Sequence, residues 1–556
     1  MKYQQVKTTG LKPTQQRRHP TRALPRQRTH LPVDFFMSRT ALPLWLLGFV
    51  IVLMTMNLNG FLLFDHDEGA FSEATRGMFE RGDFITTYLN DRIRFDKPIL
   101  IYWLQAASVA AFGTDVWVFR LPSALAGILW VLAIFAFTRK VTDQQTAIAA
   151  ALMAATAAGI NAITHVATAD GLLNMILATT MLAMYLYSQA PSRGLLIGIY
   201  VLMALGTLTK GPVAVAIPFM AGGLFYLSSG YRQEFLRAIF YIPGWIIFLL
   251  IAAPWYIAAY QIHGQEFIDG FFMKHNVNRF NNAMEGHDGG LLFYPMVLPF
   301  VLAPFGGLLL RILPSIKTTL AGGDHLNRFL WIWFLVVLVL FSLASTKLPH
   351  YILYGVTPLV ILMARYRNWL QSRLLAAVFP LILFGLMVAF PLLIPIVEAR
   401  LTNPIEIATA QRAAEYFNTD FVILAALGTI AALALIFWKR FSPWFGLVMA
   451  GVVQSVLLWF LFIPTFSETQ QRPVWDAAMF AKELGEPVVT QSIDMPSFNV
   501  YLDTWTERRR LEPGEVGFAR EDRVKRIEHP FDVLYQSGPI MIIRHSGGQP
   551  ESEATE

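Results

Sequence analysis

Acids, histidines and basic residues fall into a few compact stretches of an otherwise apolar chain, and their types suit acid–base and charge-stabilising chemistry. FDHDEGAFSEATRGMFERGDFITTYLNDRIRFDKP, residues 64–98, opens with Asp65, Asp67 and Glu68 and closes with Asp96 and Lys97. THVATADGLLN supplies His165 and Asp170, and LTKGP supplies Lys210. A polar stretch over 261–290 carries Glu266, Asp269, Lys274, His275, Asn276 and Arg279. STKLPHYILY adds Lys347, His350, Tyr351 and Tyr354. Each has a plain structural reading. Asp67 and Asp170 are the type that caps helices, Lys97 and Lys347 are able to snorkel to a membrane interface, and His275 suits an ordinary loop. That reading is weakest for Asp170 and Lys210, which border apolar runs where an ionisable group is costly.

The elements that must position these groups are membrane spans. Of 556 residues, 55% are hydrophobic and only 15% charged, well below the roughly 25% of soluble domains. With roughly twenty residues per span, apolar runs between 41 and 463 predict about thirteen transmembrane helices. The chain has no cysteine, which excludes disulfides, thiolate metal sites and a thiol nucleophile. The net charge of +6 reflects a basic tail over residues 1–40 and short basic loops. This is the positive-inside pattern, not a nucleic-acid surface. It puts the tail in the cytoplasm and the first loop, 65–116, outside together with the loop at 261–290. All the acid- and histidine-bearing stretches then return to one exoplasmic face.

Within the first loop, Phe71, Ala74 and Met78 share a helical face, which predicts a helix over 68–81 with Asp67 as N-cap and Gly82 as its stop. The apolar run 99–112 is too short to span and predicts an interfacial helix. The sixth span is expected at 213–228, the eighth at 291–310 and the tenth at 351–364. Residues 464–556 are less apolar and predict a small mixed α/β exoplasmic domain, with a helix over 475–484 and strands near 487–491, 498–502 and 539–544.

Taken in order, DHDEG, RFDKPILIYW, TADGLLN, LTKGPVAVAIP, FFMKHNVNRF and STKLPHYILY resemble the membrane glycosyltransferases of the GT-C fold. The match is to their aminoarabinose transferase branch, related to protein O-mannosyltransferases. The resemblance implies an all-α polytopic catalytic domain and an inverting transfer. The donor would be undecaprenyl-phosphate 4-amino-4-deoxy-L-arabinose and the acceptor a lipid A phosphate, at the periplasmic face of a bacterial inner membrane. Polymyxin and cationic-peptide resistance would follow. It also implies that Asp67 is the first-loop acid of the family and Asp170 a second acid near the site. A phosphate leaving group needs fixed positive charge, for which Lys97 and Lys347 are candidates, with Lys210 and Arg279 behind them and Tyr351 and Tyr354 as hydrogen-bond donors. No cofactor is required, although some relatives bind a divalent metal such as zinc. Asp96 with His275 would be the oxygen and nitrogen ligands, though many relatives have Glu where this chain has Asp96.

Two other readings fit a polytopic chain, the first within the same class and the second from a different one. One is a related enzyme moving another polyprenyl-linked sugar to a lipid, glycan or protein. The other is a transporter or flippase, which would place its charges near the midplane of discontinuous helices and not on one face.

Overall fold

In the computed structural model the described residues are 43–271, 273, 289–322, 324–524 and 530–546. The basic tail, His275 and Arg279 lie outside them. The first apolar run forms a helix only over Leu44–Thr55 (α1). The NLNG turn follows, with Asn57 in the left-handed region at φ 55°, and the chain leaves the helix there.

The next helix, α2 (Asp67–Arg81), stops at Gly82, which takes φ 67°, a conformation glycine adopts without steric cost. Asp67 is its first residue and His66 its N-cap, with no side-chain capping bond, so Asp67 does not cap it. The expected face is correct: Phe71, Ala74 and Met78 pack in one core with Ile99, Tyr102, Trp255 and Phe271. A two-stranded hairpin follows, β1 (Tyr88–Leu89) against β2 (Arg92–Ile93). It delivers the chain to Arg94, Asp96 and Lys97. The apolar run after Pro98 is a thirteen-residue helix, α3 (Leu100–Phe112).

Long apolar helices come next: α4 (Val116–Val141), then α5 (Gln144–Thr156) and α6 (Ala158–Thr164), bent by 61° to one another, then α7 (Ala169–Gln189) and α8 (Arg193–Lys210). Further spans are Ile242–His263, His325–Leu343, Arg373–Glu398 and Thr419–Phe437, and one 42-residue helix, Pro443–Leu484, leads into the C-terminal region. Among the described residues eight helices are long and apolar enough to cross a membrane, or nine with the bent pair, against about thirteen expected. The difference lies in runs that read as single spans but form helices that are short or interrupted. Residues 213–228 contain a π-helical turn at Pro218–Gly222, 291–310 break after Val301, and 351–364 begin as a 3-10 helix, Pro349–Gly355.

The C-terminal region has a four-stranded sheet of β3 (Val488–Thr490), β4 (Val516–Arg520), β5 (Phe531–Ser537) and β6 (Ile540–His545), in the order β3-β4-β6-β5. β3 runs parallel to β4 and the other pairs are antiparallel. The end of the 42-residue helix packs on this sheet through Val474, Ala477, Ala478 and Ala481. Residues 498–502, expected as a strand, are helical, Ser497–Leu502. The expected helix over 475–484 and the strands near 487–491 and 539–544 are present.

That short helix locks onto the first loop. Ser497 donates its amide and hydroxyl to the two Asp65 carboxylate oxygens, at 3.0 and 2.5 Å, and the Leu63 N–H donates to the Tyr501 hydroxyl at 2.7 Å. Gly69 allows this approach, since a Cβ there would sit 2.8 Å from the Ser497 nitrogen. Beneath it, Arg120 donates to both Glu68 oxygens at 2.6 and 2.9 Å and to the carbonyls of Leu58, Phe61 and Leu62. Glu68 also accepts from the amides of Phe64 and Ala167. A buried pair so fully bonded is destabilised by about 3–5 kcal/mol when one member is removed. Glu68 is therefore an anchor of the loop that carries Asp67.

Candidate active site

Asp170 is the second residue of α7 and Lys210 the last of α8. Consecutive packed helices bring these ends together, and Lys210 Nζ forms an ion pair with Asp170 Oδ1. The same carboxylate oxygen accepts the Tyr354 hydroxyl at 3.2 Å and lies 3.7 Å from His350 Nε2. Both of these come from the Pro349–Gly355 turn. The Lys210 ammonium sits 5.3 Å from the Tyr351 ring centroid and 6.0 Å from that of Tyr354. Asp170 is thus surrounded by a cation and donors that it holds in place. Burial pushes the His350 imidazole down to about 4, so it is neutral at pH 7.

The opposite wall comes from the stretch before α3. Asp96 bridges two cations, with Lys97 Nζ 2.7 Å from one oxygen and Arg94 Nη2 2.9 Å from the other. Asp96, Lys97, Lys210, Tyr351 and Tyr354 line a cleft of about 250 Å³. Its remaining lining is mostly apolar, including Val213, Ala216, Met220, Phe271, Leu340 and Phe341, with Thr346 as a further polar residue. The cleft therefore joins charged groups to a greasy lining.

Asp67 is exposed at the start of α2. It lies within electrostatic reach of Arg94, Tyr102 and His350, so the first loop and the Pro349–Gly355 turn meet near it. Seven of the expected residues gather here: Asp67, Asp96, Lys97, Asp170, Lys210, Tyr351 and Tyr354. Lys347 does not join them. Its ammonium donates to the carbonyls of Phe341, Ser342 and Ala344, at 3.3, 2.6 and 2.5 Å, closing the C-terminal end of His325–Leu343. A cation there satisfies carbonyls that the helix leaves unpaired. His165 is also elsewhere, bonded to the Asn161 carbonyl and stacked on Trp459. Arg279 and His275 lie outside the described residues. Both Asp96 oxygens already accept from Arg94 and Lys97, an arrangement that fits a divalent cation poorly. Among the described residues no group of three metal-ligating side chains forms.

His350, Arg94 and Tyr102 carry no assigned role on sequence grounds. His350 stands in the STKLPHYILY stretch and Arg94 in RIRFDKP, so both were within reach of a sequence argument. Tyr102 reads as part of an apolar helix, and nothing in its neighbours marks it out.

A family model described as dolichyl-phosphate-mannose-protein mannosyltransferase matches residues 96–257, which include Asp96, Lys97, Asp170 and Lys210. A protein of Aquifex aeolicus described as uncharacterized is 31% identical over 306 residues, 54% of this chain and 67% of its own. An undecaprenyl phosphate-alpha-4-amino-4-deoxy-L-arabinose arabinosyl transferase of Serratia proteamaculans is 28% identical over 341 residues, 60% of each chain. The crystal structure of ArnT from Cupriavidus metallidurans bound to undecaprenyl phosphate superposes with a TM-score of 0.75 at 19% identity, covering 91% of this chain and 99% of that one. The chain belongs to the ArnT-like GT-C membrane glycosyltransferases. The last likeness is one of fold. The match to the Serratia transferase spans 60% of that enzyme's length. Within the GT-C frame, the ion pair at the α7–α8 junction and the Asp96–Lys97 pair before α3 are the two charged walls of one cleft.

Proposed function

We propose that the protein transfers 4-amino-4-deoxy-L-arabinose from undecaprenyl phosphate to a lipid A phosphate, at the periplasmic face of the inner membrane. The observation that carries this reading is the cleft that combines Lys97 and Lys210 with an extensive apolar lining. A polyprenyl phosphate has the same division, and its lipid cannot leave the bilayer. In the reaction an oxygen of the acceptor phosphate attacks the anomeric carbon from the face opposite the leaving group. The carbon–oxygen bond to undecaprenyl phosphate breaks, and its electron pair leaves on the phosphate. The configuration inverts, and the acceptor monoester becomes a diester.

Lys97 and Lys210 stabilise the charge that develops on the leaving phosphate, and fixed cations in a partly desolvated site do this without reorganisation. Asp170 and Tyr354 hold Lys210 in position, and Tyr351 offers a hydroxyl at the cleft. Arg279 is a further candidate for the phosphate. The acceptor phosphate has a second pKa of about 6 and is largely ionised at neutral pH, so it needs little help from a base. Asp67 then orients the acceptor or the sugar amine. A hydroxyl acceptor would instead use Asp67 as its general base, and its exposed position suits that role equally. Each transfer hides one negative charge of the outer surface and adds an amine, which weakens attraction for polymyxin and other cationic peptides.

The test is reconstitution. Purified protein with undecaprenyl-linked aminoarabinose and lipid A should give modified lipid A, and Asp67→Ala, Lys97→Ala and Asp170→Ala should fold but turn over poorly. Full activity in all three would remove the site assignment. Lipid movement between leaflets without transfer would favour the transporter class.

A further inference from the structure

Two hydrogen-bond donors near Asp67 are buried and unanswered. Tyr102 is fully buried, yet its hydroxyl has no hydrogen-bond partner. Arg94 gives Nη2 to Asp96, but its Nη1 is buried and likewise without a partner. Buried polar groups in native proteins are nearly always paired, and each exception calls for a cause. The two donors are neighbours: Arg94 and Tyr102 act on each other electrostatically, and both feel Asp67. Phe71 fixes both side chains, stacking on Tyr102 at 5.3 Å between centroids and lying 4.9 Å from the Arg94 guanidinium carbon. Burial pushes the Tyr102 hydroxyl up to about 12, so it keeps its proton and donates. Guanidinium is always charged and presents a planar fork matched to oxyanions.

What this pair lacks is an acceptor with negative charge and more than one oxygen. Its position says which. Asp96 separates two cations, Lys97 on one oxygen and Arg94 on the other, and Lys97 lines the cleft that suits a polyprenyl phosphate. Transfer between two phosphates needs an anion site on each side of the sugar. We propose that Arg94 and Tyr102 seat the phosphomonoester of the acceptor, on the Asp67 side of Asp96, while Lys97 and Lys210 serve the donor. This rests on the phosphate-acceptor reading above. Arg94 draws the monoester toward its dianion, and the Asp96 carboxylate keeps the two cationic sites distinct, so each phosphate has its own partner.

Tyr102→Phe tests this with little risk to folding, because the ring stack is kept and no existing hydrogen bond is lost. Arg94→Lys keeps the charge but not the fork. Steady-state kinetics on the full chain, with the undecaprenyl aminosugar and lipid A each varied in turn, should show acceptor KM raised about tenfold in both variants. Donor KM should stay within twofold and thermal stability should not fall in Tyr102→Phe. Wild-type turnover on lipid A with unchanged acceptor KM in Tyr102→Phe, or a rise in donor KM instead, overturns the assignment alone. A wild-type protein that transfers only to a phosphate-free hydroxyl acceptor overturns the phosphate-acceptor reading and this assignment with it.

Discussion

Lys210 closes one membrane helix and Asp170 opens the helix before it, and the two form an ion pair at the mouth of the cleft. The pair is nearly enclosed, with side chains 11% and 10% exposed. Neither charge has water to fall back on. Asp170→Asn or Lys210→Met should therefore each destabilise the protein by about 3 kcal/mol and lower transfer. The double variant should cost less than the sum of the two. Thermal unfolding in detergent checks this, and strict additivity would show that the pair is not coupled.

Lys97 differs in that its ammonium, paired with Asp96, also lines the cleft. Lys97→Ala should lower kcat by about 10²–10³, the range seen when one preorganised charge-stabilising group is removed. Stability should change much less than in the Asp170 variant. A folded Lys97→Ala protein with unaltered kcat would move the donor phosphate elsewhere.

Lys347 should behave in the opposite way. Its ammonium is spent on three carbonyls at a helix end, so Lys347→Ala leaves these unpaired and should cost about 1–3 kcal/mol. Donor KM should stay close to that of the parent. Weakened donor binding at unchanged stability would return Lys347 to the phosphate site.

Two partly buried groups give opposed pH effects on stability. His350, facing Asp170, Lys210, Asp67 and Lys97, is held by burial at about 4 from an ordinary 6.5. In that interval the unfolded chain takes up a proton that the folded chain refuses, so stability falls as pH drops from about 6.5 to about 4. Asp65, beside Ser497, Asp494 and Glu68, is raised chiefly by burial from 3.8 to about 7. There the folded chain keeps a proton that the unfolded chain has lost, so stability falls as pH rises from about 4 to about 7. Relative to the parent, Asp65→Asn should gain stability as pH rises through this window, and His350→Gln should gain as pH falls. Each slope should not exceed about 1.4 kcal/mol per pH unit. Denaturation midpoints across the range provide the measurement, and parallel curves for parent and variants would contradict both assignments.

The long apolar helices were legible from sequence because a run of twenty apolar residues has few other fates. The first-loop helix was legible from its 3.6-residue spacing and from Gly82. Asp170 and Lys210 stood out because charge beside an apolar run is expensive. The errors have local causes. FNVYL alternates like a strand, but Pro496 and the contact of Ser497 with Asp65 start a helix there. β4 and β5 went unread, since VGFAR and FDVLYQS are short and carry charge, and their pairing partner lies in β6. Lys347 looks like any interface lysine in sequence, and only the fold shows that a helix end claims its charge. Tyr102 was invisible because its meaning is a missing partner.

The first loop meets its last support at the other end of the chain. Asp65 is held by Ser497, 432 residues later, beyond every membrane span. During synthesis the loop bearing Asp67 therefore emerges long before the segment that braces it. A ribosome-bound chain stopped between Leu484 and Ser497 has the membrane helices and both charged walls of the cleft but lacks the brace on the first loop. Assembly of the site is thus timed to the late stages of synthesis, and a chain ending before Ser497 would reach the membrane without a braced first loop.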